Sequence, residues 1–167
     1  MTEKDLHFYE PKNGHGLKHD PFNAIVAPRP IGWISSRDKG GNVNLAPYSF
    51  FNAFCYAPPI IGFSSTNWKD SVANIQDTGE FVWNLATRPL AAAMNETSAS
   101  IPHHEDEFVR AGLTAAASRL VKAPRVAESP VNFECRLSQC IQLTTADGNL
   151  VDTWLVLGEV VAVHIDE

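Results

Sequence analysis

The chain is 167 residues long, close to the ~150 residues of one domain, and its 44% hydrophobic and 19% charged content excludes an intrinsically disordered polymer. Thirteen Lys and Arg residues stand against 19 Asp and Glu, a net charge of −6, which argues against a surface that tracks nucleic-acid phosphates. No apolar run approaches the ~18 residues of a membrane span, and residues 1–11 lack the basic and apolar segments of a signal peptide. The expectation is a soluble, cytoplasmic protein with no nucleic-acid or membrane partner.

Residues 1–24, with Pro11, Gly14, Gly16 and Pro21, read as an irregular arm, and residues 25–167 as one domain. Over residues 25–36, Pro28 and Pro30 forbid a helix, and Ile31, Trp33 and Ile34 favour a strand. A polar turn over residues 37–42 leads to a returning strand over 43–51, hence a hairpin. Pro58-Pro59 opens a short strand over 60–64. The period then changes: Trp68, Val72 and Ile75 fall at i, i+4 and i+7, which predicts an amphipathic helix with Asn67 as N-cap and Gly79 at its end. Residues 81–85 read as a strand, 89–97 as a helix and 103–110 as a weaker helix. Finally, alternation over 131–145, a turn over 146–149 and an apolar run over 150–165 predict a long β-hairpin. Short strands, a long hairpin and interposed helices point to an antiparallel barrel.

The three cysteines do not read as a disulfide framework. Alternation from Val131 puts Cys135 on the apolar face, as a small core residue, and Cys140 on the polar face. Five strand residues separate them by about 16 Å, beyond disulfide reach. Cys55 is left open. His103-His104-Glu105-Asp106-Glu107 gathers potential metal ligands, but adjacent helical side chains diverge. A solvated acidic helix start is the better reading, so no metal is expected. No dinucleotide fingerprint, phosphate loop, nucleophile elbow or zinc helix is present.

Two segments carry more. Ser64-Ser65-Thr66-Asn67-Trp68-Lys69-Asp70-Ser71 runs from a strand end into a helix start, where free N–H groups and the positive end of the dipole favour an anion. Simple capping of the helix explains the same residues equally well. Ser35-Ser36-Arg37 offers further donors. Asn44-Leu45-Ala46-Pro47-Tyr48-Ser49-Phe50-Phe51-Asn52 mixes aromatic walls with polar rims, as a planar ligand with polar edges requires; an aromatic run in a strand is also ordinary core.

Together with Ala27-Pro28-Arg29-Pro30-Ile31-Gly32-Trp33-Ile34-Ser35-Ser36, Phe63-Ser64-Ser65 and Lys69-Asp70-Ser71, this second segment closely resembles the flavin reductase-like, flavoredoxin-type family of FMN-binding split barrels. Thr78-Gly79-Glu80-Phe81-Val82, Glu105-Asp106-Glu107-Phe108 and Pro124-Arg125-Val126 match as well, in order, over residues 25–165. The resemblance implies a mainly β fold, a six-stranded antiparallel split β-barrel with inserted helices, working as a homodimer with FMN near the subunit interface. It implies that Trp33, Ile34, Ser35 and Ser36 line the ribityl and phosphate region. Ala46, Ser49, Phe50 and Asn52 would face the ring, and Ser64, Ser65, Lys69 and Ser71 would complete the phosphate site. No catalytic side chain is expected, because the flavin carries the chemistry. The implied activity is that of an NAD(P)H:flavin reductase; the alternative is an FMN-binding electron carrier serving a protein redox partner. Chains of this family usually continue past the final hairpin strand, whereas this sequence ends at Glu167, as a truncated chain or a short member would.

Overall fold

The computed structural model describes residues 6–167; residues 1–5 of the expected arm lie outside it. After a 3-10 turn at Pro11–Asn13 and a single helical turn, α1 (Phe22–Ile25), the first strand, β1, spans Gly32–Arg37. It starts later than residue 25 because Pro28 and Pro30 have no N–H to give a ladder. β1 turns back through Asp38, whose carboxylate accepts both the backbone N–H and the side-chain amide of Asn42 at 2.8 and 2.7 Å. β2 (Val43–Tyr48) then pairs with β1 antiparallel, Ser35 opposite Leu45.

The expected return strand over 43–51 is in fact two strands. The chain breaks at Ser49-Phe50 and opens β3 (Phe51–Tyr56), which forms its own hairpin with β4 (Pro59–Thr66). Next come α2 (Asp70–Thr78), β5 (Glu80–Asn84), α3 (Ala91–Glu96) and α4 (Glu107–Ala111). α4 is shorter than the expected 103–110 helix because Asp106 caps it, accepting from the N–H groups of Phe108 and Val109. A two-stranded ribbon, β6 (Ala115–Ala116) with β7 (Arg125–Val126), precedes the long hairpin of β8 (Val131–Thr144) and β9 (Leu150–Ile165). The main sheet thus has seven strands, one more than expected, in the order β2-β1-β5-β8-β9-β4-β3.

β2 and β4 are far apart in that order, yet the rings of Tyr48 and Phe63 lie 4.4 Å apart. The sheet therefore curls into a barrel that stays open between its two end strands. Ile34, Tyr48, Ile61, Phe63, Phe81, Cys135 and Val156 fill its interior, and α2 adds Val72 and Ile75. Burial of each such side chain contributes about 1.5–3 kcal/mol. Outside the barrel, Trp33 and Leu45 pack with Phe108, Val126, Leu90 and Met94, so β1 is covered on both faces by α2 within and α3 and α4 without.

Cys135 is fully buried, as the alternation implies. Cys140 departs from it: it packs against the barrel interior beside Leu137. Register shifts between Leu137 and Gln139 insert an extra residue, and a bulge returns the following side chains to the other face. Burial accordingly pushes the Cys140 thiol pKa up. All three cysteines are free, Cys55 on the surface of β3.

Candidate functional site

The start of α2 differs from the sequence expectation in an informative way. Asn67 is not its N-cap: its backbone sits in the left-handed region at φ 67°. There its N–H donates to the Asp152 carbonyl at 2.9 Å, and its own carbonyl accepts from the Ser65 hydroxyl at 3.1 Å. These bonds hold Asn67-Trp68 as a turn out of β4. The N-cap position falls to Lys69, with no side-chain capping bond. An ammonium has only donors and cannot cap, so the first-turn N–H groups of α2 are left without the carboxylate that Asp106 supplies to α4. Such a helix start, with a cation beside it, attracts anions. The other end behaves as expected: Gly79 takes the left-handed conformation at φ 76° and closes the helix onto Ile75.

Above this helix start opens a cleft of about 540 Å³. Ala46, Tyr48, Ser49 and Phe50, at the end of β2, form one wall. Ser64 and Thr66 of β4, Lys69 at the N-cap of α2, and Asp70 and Ser71 of α2 form the floor, and Thr97–Ile101 with Glu107 form the far wall. Of the residues expected at the site, Ala46, Ser49, Phe50, Ser64, Lys69 and Ser71 are brought together here. The Arg29 guanidinium lies 5.1 Å over the Phe50 ring and donates to the Asn23 and Val26 carbonyls, which steadies that wall.

The remaining expected residues lie elsewhere. Trp33 is buried behind the cleft, its indole N–H donating to Thr97 Oγ1 at 3.0 Å. Ile34 belongs to the barrel interior. The Ser35 hydroxyl donates to the Pro124 carbonyl and accepts from the Asn84 amide, and the Ser36 hydroxyl accepts from the Asn74 amide of α2. Ser65 is spent on the Asn67 carbonyl. Asn52 is exposed on β3, with its side-chain oxygen accepting from the N–H of Ala53.

Several lining residues lie outside the set that the resemblance assigned to the ligand. Asn44 donates to the Ser71 hydroxyl at 2.8 Å, joining β2 to α2. The Tyr48 hydroxyl is buried beside Ser65 and Ser71 without a hydrogen-bond partner, and burial raises its pKa. Glu107, also raised chiefly by burial, accepts from the N–H of Leu45 at 3.1 Å. Thr97, Ser98 and Ser100 follow α3 as a run of hydroxyls, the one local signal that could have marked that wall. The cleft therefore offers an anion site at its floor, hydroxyls along its sides and an aromatic wall, a donor set suited to a phosphorylated ligand with a flat apolar end.

A domain model described as flavin reductase like matches residues 26–167. An uncharacterised protein of Aquifex aeolicus (strain VF5) is 37% identical over 148 residues, spanning 86% of this chain and 72% of that protein. Nitrilotriacetate monooxygenase component B from Bacillus cereus superposes with a TM-score of 0.88 at 31% identity, over 99% of this chain and 84% of its own. A split-barrel-domain protein from Shewanella frigidimarina NCIMB 400 superposes with a TM-score of 0.75 at 28% identity, over 83% of this chain and 68% of its own. The open barrel and the order of the matching motifs agree with these likenesses: the chain belongs to the flavin reductase-like domain family.

Proposed function

We propose that this chain is a flavoprotein oxidoreductase that binds FMN in the cleft and works as a homodimer, passing electrons from NAD(P)H through the flavin to an acceptor. The observation that carries this reading is the uncapped start of α2, with Lys69 beside it, at the floor of a cleft walled by Tyr48 and Phe50. The residues fit the group. An acidic tail finds free N–H groups and an ammonium, and a polyhydroxylated chain finds Ser49, Ser64, Thr66 and Ser71. The orphaned Tyr48 hydroxyl adds a donor still without an acceptor.

When bound, the flavin supplies hydride acceptance and electron transfer, so the chain is asked for orientation and electrostatics. Lys69 offsets the charge of the phosphate. Asn44 fixes the Ser71 hydroxyl in place, and the Ser36–Asn74 bond holds α2 against β1 at 3.2 Å. Phe50 excludes water from one side of the ring, and Arg29 holds Phe50 in turn.

The test is the visible absorbance of the protein mixed with FMN, then with NADH and with NADPH under anaerobic conditions. Uptake of FMN followed by bleaching with either nucleotide is the expected result. Uptake without bleaching by either would replace the reductase reading with that of a carrier fed by a redox protein. No uptake would overturn the proposal.

A further inference from the structure

His103 sits in the segment between α3 and α4, two residues beyond the Thr97–Ile101 wall of the cleft. Its two ring nitrogens face carboxylates from two other elements. Nδ1 is 3.0 Å from Asp70 Oδ1, at the first residue of α2, and Nε2 is 3.3 Å from Asp38 Oδ2, in the β1–β2 turn. Carboxylates only accept, and a neutral imidazole has one N–H. The Asp38 contact is a hydrogen bond and the Asp70 contact an ion-pair approach; both are attractive at once only when His103 is the imidazolium. The ring is half exposed, so solvent protons reach it.

Asp70 also lines the cleft. There it places a negative charge at the helix start that Lys69 makes attractive to an anion. Other ionisable groups stand on the elements that meet here, Lys69 beside Asp70 among them. Glu107 faces the cleft from α4, Lys39 next to Asp38 is paired with Asp77 at 3.8 Å, and His104, Glu105 and Asp106 follow His103 on its own segment.

We propose that His103, bridging Asp38 and Asp70 as a cation, is a positioning residue that fastens the Thr97–Ile101 wall and offsets the Asp70 charge. The cleft then holds a phosphorylated ligand more tightly when His103 is protonated than when it is not. The identity of the ligand rests on the function proposed above; the bridge itself does not. The charge of Asp70 first, then the ring's contacts with the Asp38 and Asp70 carboxylates, raise the His103 pKa. The bridge is therefore intact below the ordinary imidazole value and is lost as pH rises through the higher, folded one.

The experiment is flavin-fluorescence titration of the whole chain with FMN and with riboflavin between pH 6 and 9, for the native protein and for His103→Gln. The ratio of the two proteins' Kd values cancels the titration of the FMN phosphate itself. For FMN that ratio is expected to be roughly 3- to 5-fold at pH 6 and to approach 1 by pH 9, with a smaller change for riboflavin. A ratio that does not vary with pH would overturn the proposal. NMR titration of the flavin-free chain separates this failure from failure of the flavin reading. The His103 midpoint should lie above the ordinary imidazole value and fall in Asp70→Asn, and the amides of residues 97–101 should titrate with it. An ordinary midpoint, unmoved by Asp70→Asn, would overturn the bridge whether or not FMN binds.

Discussion

Glu134 illustrates how a residue's role can be set by a segment distant in sequence. Strand alternation assigns it only to the face opposite Cys135. In the structure it is fully buried, because the loop over residues 117–123 folds across that face. Its carboxylate accepts the N–H groups of Arg119, Leu120 and Val121 at 2.8, 2.6 and 3.0 Å, and it meets the His164 ring. Burial alone would raise its pKa, but these donors together outweigh that and hold it below the usual 4.5. A depressed folded value means the stabilisation is present above the ordinary carboxylate pKa and is lost as pH falls through the folded one. Glu134→Ala, which leaves the N–H groups of Arg119, Leu120 and the buried Val121 without their acceptor, should cost about 1–3 kcal/mol at pH 7. Urea midpoints at pH 7 and at pH 3.5 check this, and the gap from the native protein should narrow at the lower pH. At the cleft, Lys69→Ala should weaken FMN binding by about 1.5–3 kcal/mol and leave riboflavin nearly unchanged. Equal losses for the two ligands would remove Lys69 from the phosphate.

Elements were most legible where the period was long and local. The β8–β9 hairpin, β5 and the Gly79 end of α2 follow directly from alternation, from helical spacing and from a glycine able to adopt positive φ. Errors arose where a tertiary contact overrode the local signal. Cys140 changes face because of a bulge that alternation cannot show, and the start of α2 moves to Lys69 because Asp152 on β9 claims the Asn67 N–H. α4 depends on a single cap: Asp106→Ala should cost about 1 kcal/mol, read as a lower thermal midpoint. Gly158 of β9 is another element-scale constraint. A Cβ there would clash with the edge of the Phe81 ring and lie 3.2 Å from the Cβ of Cys135. Gly158→Ala should therefore cost about 1–3 kcal/mol by overpacking the barrel, measured by chemical denaturation. Full stability of that variant would show that the interior has slack at this point.

At the scale of the molecule, the sheet order joins β1 to β5 and β4 to β9, pairings between distant segments that no local pattern encodes. β3 escaped notice for a related reason. It is an edge strand with exposed residues along most of its length, so it lacks the inward–outward alternation by which strands are read. The half of the site that was legible, from Ala46 to Phe50 and from Ser64 to Ser71, lies on β2, β4 and the start of α2. The Thr97–Ile101 wall was not, because it reaches the cleft only through the packing of α3 and α4 on β1 and β2. β3 also presents Phe54 and Tyr56, the latter 96% exposed, on an unpaired edge. Such a surface supports the proposed homodimer. Light scattering should give twice the chain mass, and Phe54→Asp with Tyr56→Asp should return it to one.

The central claim is that the start of α2 grips the acidic tail of a flavin, and crystals grown with FMN test it most directly. The account predicts phosphate density against the first-turn N–H groups of α2, with Lys69 Nζ within hydrogen-bonding distance. A flavin seated away from α2, or a cleft left empty at saturating FMN, would contradict it.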